Sequence, residues 1–366
     1  MNVAVIGSGV IGLTIAFRLA QRGAIVFLID QSAFGKESSW AGAGILPPAN
    51  HQDPIHAIDH LSCLSNQLHP QLSKELLELT GIDNEYQACG GIYLASTSGE
   101  AASLTGSTHL WTQQGIPFEE LDPNSVVELE PNLAGFLETQ FKKAIWVPGE
   151  SQLRNPLHNA ALVSACQKLG VVFSQNEEVH QLIPQTNSVQ LVTAHRSFWV
   201  DAVCVATGAW TTKLLQDFSS VQVVPIKGHM LLYKHESPPF SRIINEGNRY
   251  IVPRRDGHVL VGSSEEETGF DKSLSKTEIQ KLADFAETIT PLLSRDALTQ
   301  TWTGLRPMSF DGLPYLGPHS AFKNVFLATG HFRSGLQLST GTAEIITKML
   351  FQEPIDFDVS SLRPER

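Results

Sequence analysis

The sequence predicts an α/β fold in two parts: a parallel-sheet domain assembled from separated stretches of chain, and an α+β domain built on an antiparallel sheet. Three observations predict it. The first 30 residues read strand, glycine-rich turn, helix, strand. Two later segments, 201–208 (DAVCVATG) and 323–330 (KNVFLATG), each run an apolar strand into Ala-Thr-Gly and join the same sheet. Between them the texture changes to short strand-like runs punctuated by turn signals. With 366 residues, 42% of them hydrophobic and 17% charged, the chain has material for a large core, which excludes wholesale disorder.

Residues 2–6 (NVAVI) form a short β-branched run, as a strand buried on both faces should be. After 7–12 (GSGVIG), Leu13, Ala16, Phe17 and Ala20 share one helical face, Gly23 stops the helix, and 24–30 (AIVFLID) is the second strand. Such a βαβ unit has a right-handed crossover and parallel strands. Segments 90–95, 221–233 and 243–264 read as antiparallel strands. The last holds a hairpin, Tyr250-Ile-Val-Pro, turning at Arg255-Asp256-Gly257 into His258-Val-Leu-Val-Gly. Residues 273–298 have helical spacing with a break near Pro291, and a final helix is expected at about 335–350. The parallel-sheet domain accordingly takes residues 1–80, 148–218 and 302–366, and the second domain 81–147 and 219–301.

Charge narrows the partners. Lys and Arg total 26 against 37 Asp and Glu, a formal charge of −11, which opposes attraction to nucleic acid or to an anionic bilayer. Cys63, Cys89, Cys166 and Cys204 are too far apart for a redox pair or zinc ribbon, and read as reduced thiols of a cytoplasmic protein. No 18-residue apolar stretch predicts a membrane span, and the apolar opening lacks a basic leader and carries Arg18. His51, His56, His60 and His69 cluster in sequence at spacings that do not suit a metal, so no metal is expected.

The glycine turn carries the first chemistry. A bare GxGxxG is weak, but here it follows a strand, opens a helix, and precedes an acidic residue, Asp30, at the end of the next strand. Gly7 permits the tight turn, Gly9 lets backbone approach a pyrophosphate, and Gly12 lets helix sit on strand. The helix N-terminus offers Val10 and Ile11 N–H groups and partial positive charge to phosphates. Asp30, followed by Gln31, is placed for adenosine ribose hydroxyls. This pattern fits NAD or FAD alike. The small-residue loop 36–44 (KESSWAGAG) suits a bulky flat ligand such as an isoalloxazine.

Seven ordered motifs then resemble the D-amino acid oxidase superfamily of flavoproteins, most closely its glycine oxidase branch associated with thiamine biosynthesis. They are GSGVIG at 7–12, SSWAGAG at 38–44, VATGAW at 205–210, PIKGHM at 225–230, YIVPRRDGHVLVGSSEE at 250–266, WTGLRPMSFDGLPYLG at 302–317 and ATGHFRSG at 328–335. The resemblance implies a Rossmann-like, discontinuous FAD-binding domain with non-covalent FAD. It also implies oxidation of glycine, sarcosine or a small D-amino acid to an imine by hydride transfer to flavin N5. Hydrolysis gives the oxo acid and ammonia or amine, and molecular oxygen is reduced to peroxide. Arg306 and Arg333 match the positions that hold the substrate carboxylate, a task suited to the planar guanidinium fork. Tyr250 matches the tyrosine lining that pocket. The resemblance further places Ser38, Ser39, Ala43, Gly44, Ile45 and Gly208 against FAD, Val179 beside the adenine, and His331, Phe332, Arg333, Ser334, Gly335, Leu336 and Gln337 along the flavin. No residue is called as a general base, and His331 is expected to shape the cofactor site.

The helix after Arg333 is expected to aim its N-terminus at the flavin pyrimidine edge, worth ~0.3–2 kcal/mol to negative charge there. Two positions depart from the resemblance. Asn248 stands where some glycine oxidases have a histidine, and Glu265 where an apolar residue can close the pocket; a pocket-facing Glu265 would alter substrate preference. Relatives are often tetramers, so a homo-oligomer is implied by analogy alone, and thiazole synthase by the pathway. Two other readings stay open: a dehydrogenase passing electrons to a quinone or carrier, and a flavin module of a tRNA-modification assembly, which the acidic charge opposes.

Overall fold

The computed structural model describes residues 1–49, 52–216 and 221–366; His51 lies outside the described residues. Strands Tyr315–Pro318, Val325–Thr329, Ala202–Val205, Asn2–Ile6, Ile25–Asp30 and Val172–Gln175 lie in that order in one sheet. All neighbours are parallel except the Tyr315–Pro318 edge strand. Val3, Ala4, Val5, Val203, Val205 and Leu327 are fully buried, because layers cover both faces of a parallel sheet. One layer holds helices Val10–Gln21, Ala57–Thr80, Asn155–Lys168 and Ser339–Leu350. The other is a three-stranded antiparallel sheet, Val179–Pro184, Val189–Thr193 and Ser197–Val200. Within the helical layer Gly341 reaches Ser65, whose Oγ accepts the Gly341 N–H at 3.1 Å.

The second sheet has eight strands: Leu298–Ser309, Val223–Lys234, His258–Gly262, Arg249–Pro253, Ile243–Glu246, Gly91–Ala95, Lys143–Val147 and Glu119–Leu121. Helix Lys276–Ile289 buries Leu282, Phe285, Ala286 and Ile289 against Leu231, Tyr233, Val259 and Val261. Ser275 caps that helix by accepting the Glu278 N–H. The hairpin expected around 250–262 forms, with the Gly257 N–H bonded to the Arg254 carbonyl at 3.1 Å.

The structure corrects four local expectations. The sheet is mixed rather than wholly antiparallel: Gly91–Ala95 lies parallel to Ile243–Glu246, as a long intervening excursion permits and a tight hairpin would not. A boundary at 302 falls inside a strand, since Leu298–Ser309 pairs with Val223–Lys234 as far as Val223↔Ser309. The final helix starts at Ser339, after a 3₁₀ turn at Phe332–Ser334 where Phe332 has φ 49°. The small-residue loop contains one helical turn, Ser38–Ala41.

Three buried histidines make stability sensitive to acid. Burial lowers His69 to about 4, His158 to about 3 and His331 to about 3. Each folds as the neutral ring, so its contribution is present above the unfolded value of about 6.5 and declines as pH falls below it. Buried Glu150, raised to about 7, acts oppositely: its contribution is complete below about 4.5 and lost as pH rises toward 7. Through these four groups the unfolded chain binds roughly two more protons than the folded one near pH 5.5, so stability should fall by roughly 2.5 kcal/mol per pH unit there. Thermal melting between pH 7 and 5 checks this, and a flat Tm would contradict it.

Candidate cofactor and substrate site

The strands Asn2–Ile6, Ile25–Asp30, Ala202–Val205 and Val325–Thr329 end at Gly7, Asp30, Ala206 and Gly330, and a cavity of about 350 Å³ opens over their carboxyl ends. That is where open α/β sheets bind ligands, and a cavity of this size suits a small-molecule site. It runs from Asp30, Glu177, Val179 and His180 at one end to Tyr250, Arg306 and Arg333 at the other.

The turn is built around glycine. Gly7 has φ 97°, and a Cβ there would strike the Ala206 carbonyl; a Cβ on Gly12 would strike the Gly7 carbonyl oxygen. Helix Val10–Gln21 has Gly9 at its N-cap and no capping side chain from that residue. Its Val10 N–H instead donates to Ser39 Oγ at 2.8 Å, tying the turn to the small-residue loop. Asp30 Oδ2 accepts the Ser8 N–H and hydroxyl, both at 2.7 Å, and Oδ1 accepts the Ser32 N–H at 2.8 Å and hydroxyl at 2.9 Å. Two of these four donors are rotatable hydroxyls, so ribose hydroxyls can replace them without moving backbone.

The loop beyond is pinned from several directions. Gly44 has φ 80°, and a Cβ would meet the Leu153 carbonyl; its own carbonyl accepts the Leu153 N–H at 2.9 Å. Asn155 Nδ2 donates to the Ser39 carbonyl at 2.9 Å, and Trp302 Nε1 donates to the Ala41 carbonyl at 3.0 Å. Arg254, missed in the sequence, is buried beneath the loop and donates to the Ala43 carbonyl at 2.5 Å, the Leu153 carbonyl at 3.0 Å and Gln152 Oε1 at 2.7 Å. Burial lowers it to about 10, so it remains a cation at neutral pH. Its place in PRRDG gave no sign that it, rather than Arg255, turns inward.

At the far end, Arg306 extends over Gly228, where any side chain would collide with its guanidinium. Nη2 donates to Ser263 Oγ at 2.7 Å and Nη1 to the Ser264 carbonyl at 3.2 Å. Among the described residues no carboxylate comes within ion-pair distance of Arg306, and burial holds it below the usual arginine range. Tyr250 faces Gly262 across the hairpin and donates to Met230 Sδ at 3.4 Å. Gly228, Met230 and Ser263 all line the cavity. The first two lie in PIKGHM, whose role could have been sought from that motif. The Ser275 N–H donates to His229 Nε2 at 2.9 Å, so the ring proton sits on Nδ1 and is donated to Ser264 Oγ at 2.8 Å. His229 thereby fixes the loop that holds Arg306.

Of the residues singled out in the sequence, Gly7, Gly9, Val10, Ile11, Asp30, Gln31, Ser38, Ser39, Ala43, Gly44, Ile45, Val179 and Gly208 line the cavity. So do Tyr250, Arg306, His331, Phe332, Arg333, Gly335 and Leu336. Gly12, Ser334 and Gln337 do not. Gly12 acts one layer back, through helix–strand contact, and the Ser334 N–H closes the 3₁₀ turn onto the His331 carbonyl at 2.9 Å. Gln337 faces protein: its carbonyl accepts from His69 Nε2 at 2.8 Å and its amide donates to the Pro47 carbonyl at 3.3 Å. His331 is buried with Nε2 against Thr342 Oγ1 at 3.0 Å, and burial keeps its ring neutral at neutral pH. Arg333 is bonded to Glu265, and Asn248 lies in the exposed turn between its strands.

No group of three potential metal ligands occurs among the described residues, and none of their helices is long and apolar enough to cross a membrane.

A family model, FAD dependent oxidoreductase (DAO), matches residues 2–349. Glycine oxidase of Pseudomonas aeruginosa is 33% identical over 358 residues, covering 97% of this chain and 96% of that protein. The crystal structure of glycine oxidase from Geobacillus kaustophilus superposes with a TM-score of 0.93 at 31% identity, covering 100% of this chain and 98% of that one. The bifunctional protein ThiO/ThiG of Trichormus variabilis is 29% identical over 97% of this chain, which spans 53% of it. With the family model spanning nearly the whole chain, the chain belongs to the family of FAD-dependent oxidoreductases.

Proposed function

We propose that this protein is an amino-acid oxidase that converts glycine, and secondarily sarcosine and small D-amino acids, to the oxo acid, ammonia or amine, and hydrogen peroxide. The observation that carries the reading is Arg306: a half-buried guanidinium lining the cavity, hydrogen-bonded to neutral Ser263 and Ser264 and in no ion pair among the described residues. A cation kept this way is costly unless an anion arrives to meet it. An α-amino acid brings a carboxylate, which the planar fork receives bidentately. Tyr250 supplies a hydroxyl beside Arg306.

Bound FAD supplies the acceptor for the hydride from Cα and passes two electrons to molecular oxygen. The chain's part is orientation. Arg306 and Tyr250 fix the carboxylate and so aim the Cα–H bond. No side chain is needed to take the amine proton, because the substrate reacts as the free amine. Buried, neutral His331 is held on Thr342. Asp30 and the Val10–Gln21 helix terminus hold the dinucleotide. The parallel-sheet unit thus serves the cofactor and the mixed-sheet unit the substrate. The similarity to a ThiO/ThiG protein supports a role for the glycine-derived imine in supplying thiazole synthase.

The test mixes FAD-saturated protein with glycine, sarcosine and D-alanine while peroxide is followed. Peroxide with glycine as the best substrate is the expected result. Flavin bleaching without oxygen but no peroxide in air would replace the oxidase with a dehydrogenase. Neither signal would remove amino acids as substrates.

A further inference from the structure

A pocket built from two arginines should favour substrates with two carboxylates, yet one of them is paired with Glu265 and the other, Arg306, has no ion pair among the described residues. Arg306 bonds to Ser263 Oγ and the Ser264 carbonyl, both neutral. Arg333, lining the same end of the cavity, has its Nη2 on Glu265 Oε2. The two pairings differ in setting: Arg306 is half-buried against buried Ser263 and Ser264, whereas the Arg333 and Glu265 side chains are 36% and 43% exposed.

Glu265 is held there by its neighbours. Ser264 Oγ accepts the His229 N–H at 3.0 Å, and the Glu266 and Lys227 backbones exchange hydrogen bonds of 2.8 and 2.9 Å. With the residues on both sides anchored, the Glu265 backbone is fixed where its carboxylate can meet Arg333.

We propose, resting on the amino-acid oxidase reading, that Glu265 restricts the site to amines with a single carboxylate by occupying Arg333. A monocarboxylate pairs with Arg306 and leaves the mouth pair intact. A substrate whose nitrogen or side chain bears a second carboxylate must displace Glu265 from Arg333 and then lie beside the displaced carboxylate. Repulsion between like charges at close range is a common device for excluding a competitor. Because an exposed ion pair is easily broken, the result is discrimination and not a complete block.

The test uses the FAD-loaded enzyme and two unreactive ethers, read by their perturbation of the flavin visible spectrum. Methoxyacetate has the shape of sarcosine, and diglycolate that of iminodiacetate. Wild-type enzyme should bind diglycolate about 10-fold more weakly than methoxyacetate, and Glu265→Gln should erase that difference while moving methoxyacetate by less than about 3-fold. Adding Arg333→Ala to Glu265→Gln should restore the preference for methoxyacetate. An unmoved ratio in Glu265→Gln, or a gain that survives Arg333→Ala, overturns the inference while the oxidase reading stands. Methoxyacetate failing to perturb the wild-type flavin overturns both.

Discussion

Arg306→Lys should lower kcat/KM for glycine by about 100-fold, and Arg306→Ala by about 1,000-fold, with FAD still bound; losing one partner of a buried charge pair costs ~2–5 kcal/mol. Lysine keeps the charge but not the fork. The guanidinium is planar by delocalisation; it lies across Gly228, where a Cβ would meet it, and it reaches Ser263 and Ser264 with separate nitrogens. An ammonium can meet a carboxylate at one point, leaving it free to rotate about that contact. Rotation moves Cα, so kcat should fall along with a rise in KM. The visible flavin spectrum separates this from cofactor loss, and a lysine variant with wild-type KM would remove Arg306 from the site.

Removing the charge at this position should leave stability unchanged or raise it. Arg306 is a desolvated cation with no ion-pair partner among the described residues, which burdens the folded state. Arg306→Met keeps the chain length without the charge, and its Tm should equal or exceed that of the parent. A loss of several degrees would mean that the residue serves the fold. Function and stability would then pull the same way at this position, contrary to the usual trade-off.

How far the sequence could be read depended on the range of the physics involved. The cofactor turn was legible because its requirements are local: Gly7 needs positive φ and Gly12 needs the absence of a Cβ, and both fall within a few residues of a recognisable strand and helix. Asp30 was legible for the same reason. Arg254 was not, since whether it or Arg255 turns inward depends on the Ala43 and Leu153 carbonyls, more than 100 residues away in sequence. The engagement of Glu265 with Arg333 is likewise a tertiary choice across 68 positions. Strand Leu298–Ser309 misled the domain boundary because its motif, WTGLRPMSF, names chemistry but not pairing partners. The parallel contact between Gly91–Ala95 and Ile243–Glu246 leaves no local trace, as strand patterns look alike in either direction.

Gly12→Ala should weaken FAD binding by more than about 100-fold and cost ~1–3 kcal/mol of stability through overpacking. The added methyl would fall on the Gly7 carbonyl oxygen, with Val5 Cγ1 at 3.3 Å on the other side. Gly7 has nowhere to retreat. Its N–H is bonded to the Ile29 carbonyl at 2.8 Å, and the Ala206 carbonyl lies where a Gly7 Cβ would be. The helix must therefore lift from the strand, carrying the Val10 and Ile11 N–H groups away from where the phosphates sit and pulling Val10 off Ser39. Gly23→Ala is the matched control. It also lies beside this helix, at φ 79°, but an added Cβ there meets nothing within 4 Å. That change should cost ~1–2 kcal/mol of backbone strain and leave FAD affinity alone. Titrating FAD into the two apoproteins by flavin fluorescence separates the cases. Equal losses of affinity would mean that general destabilisation accounts for both, whereas loss in Gly12→Ala alone ties the dinucleotide to one carbonyl–helix contact 12 residues into the chain.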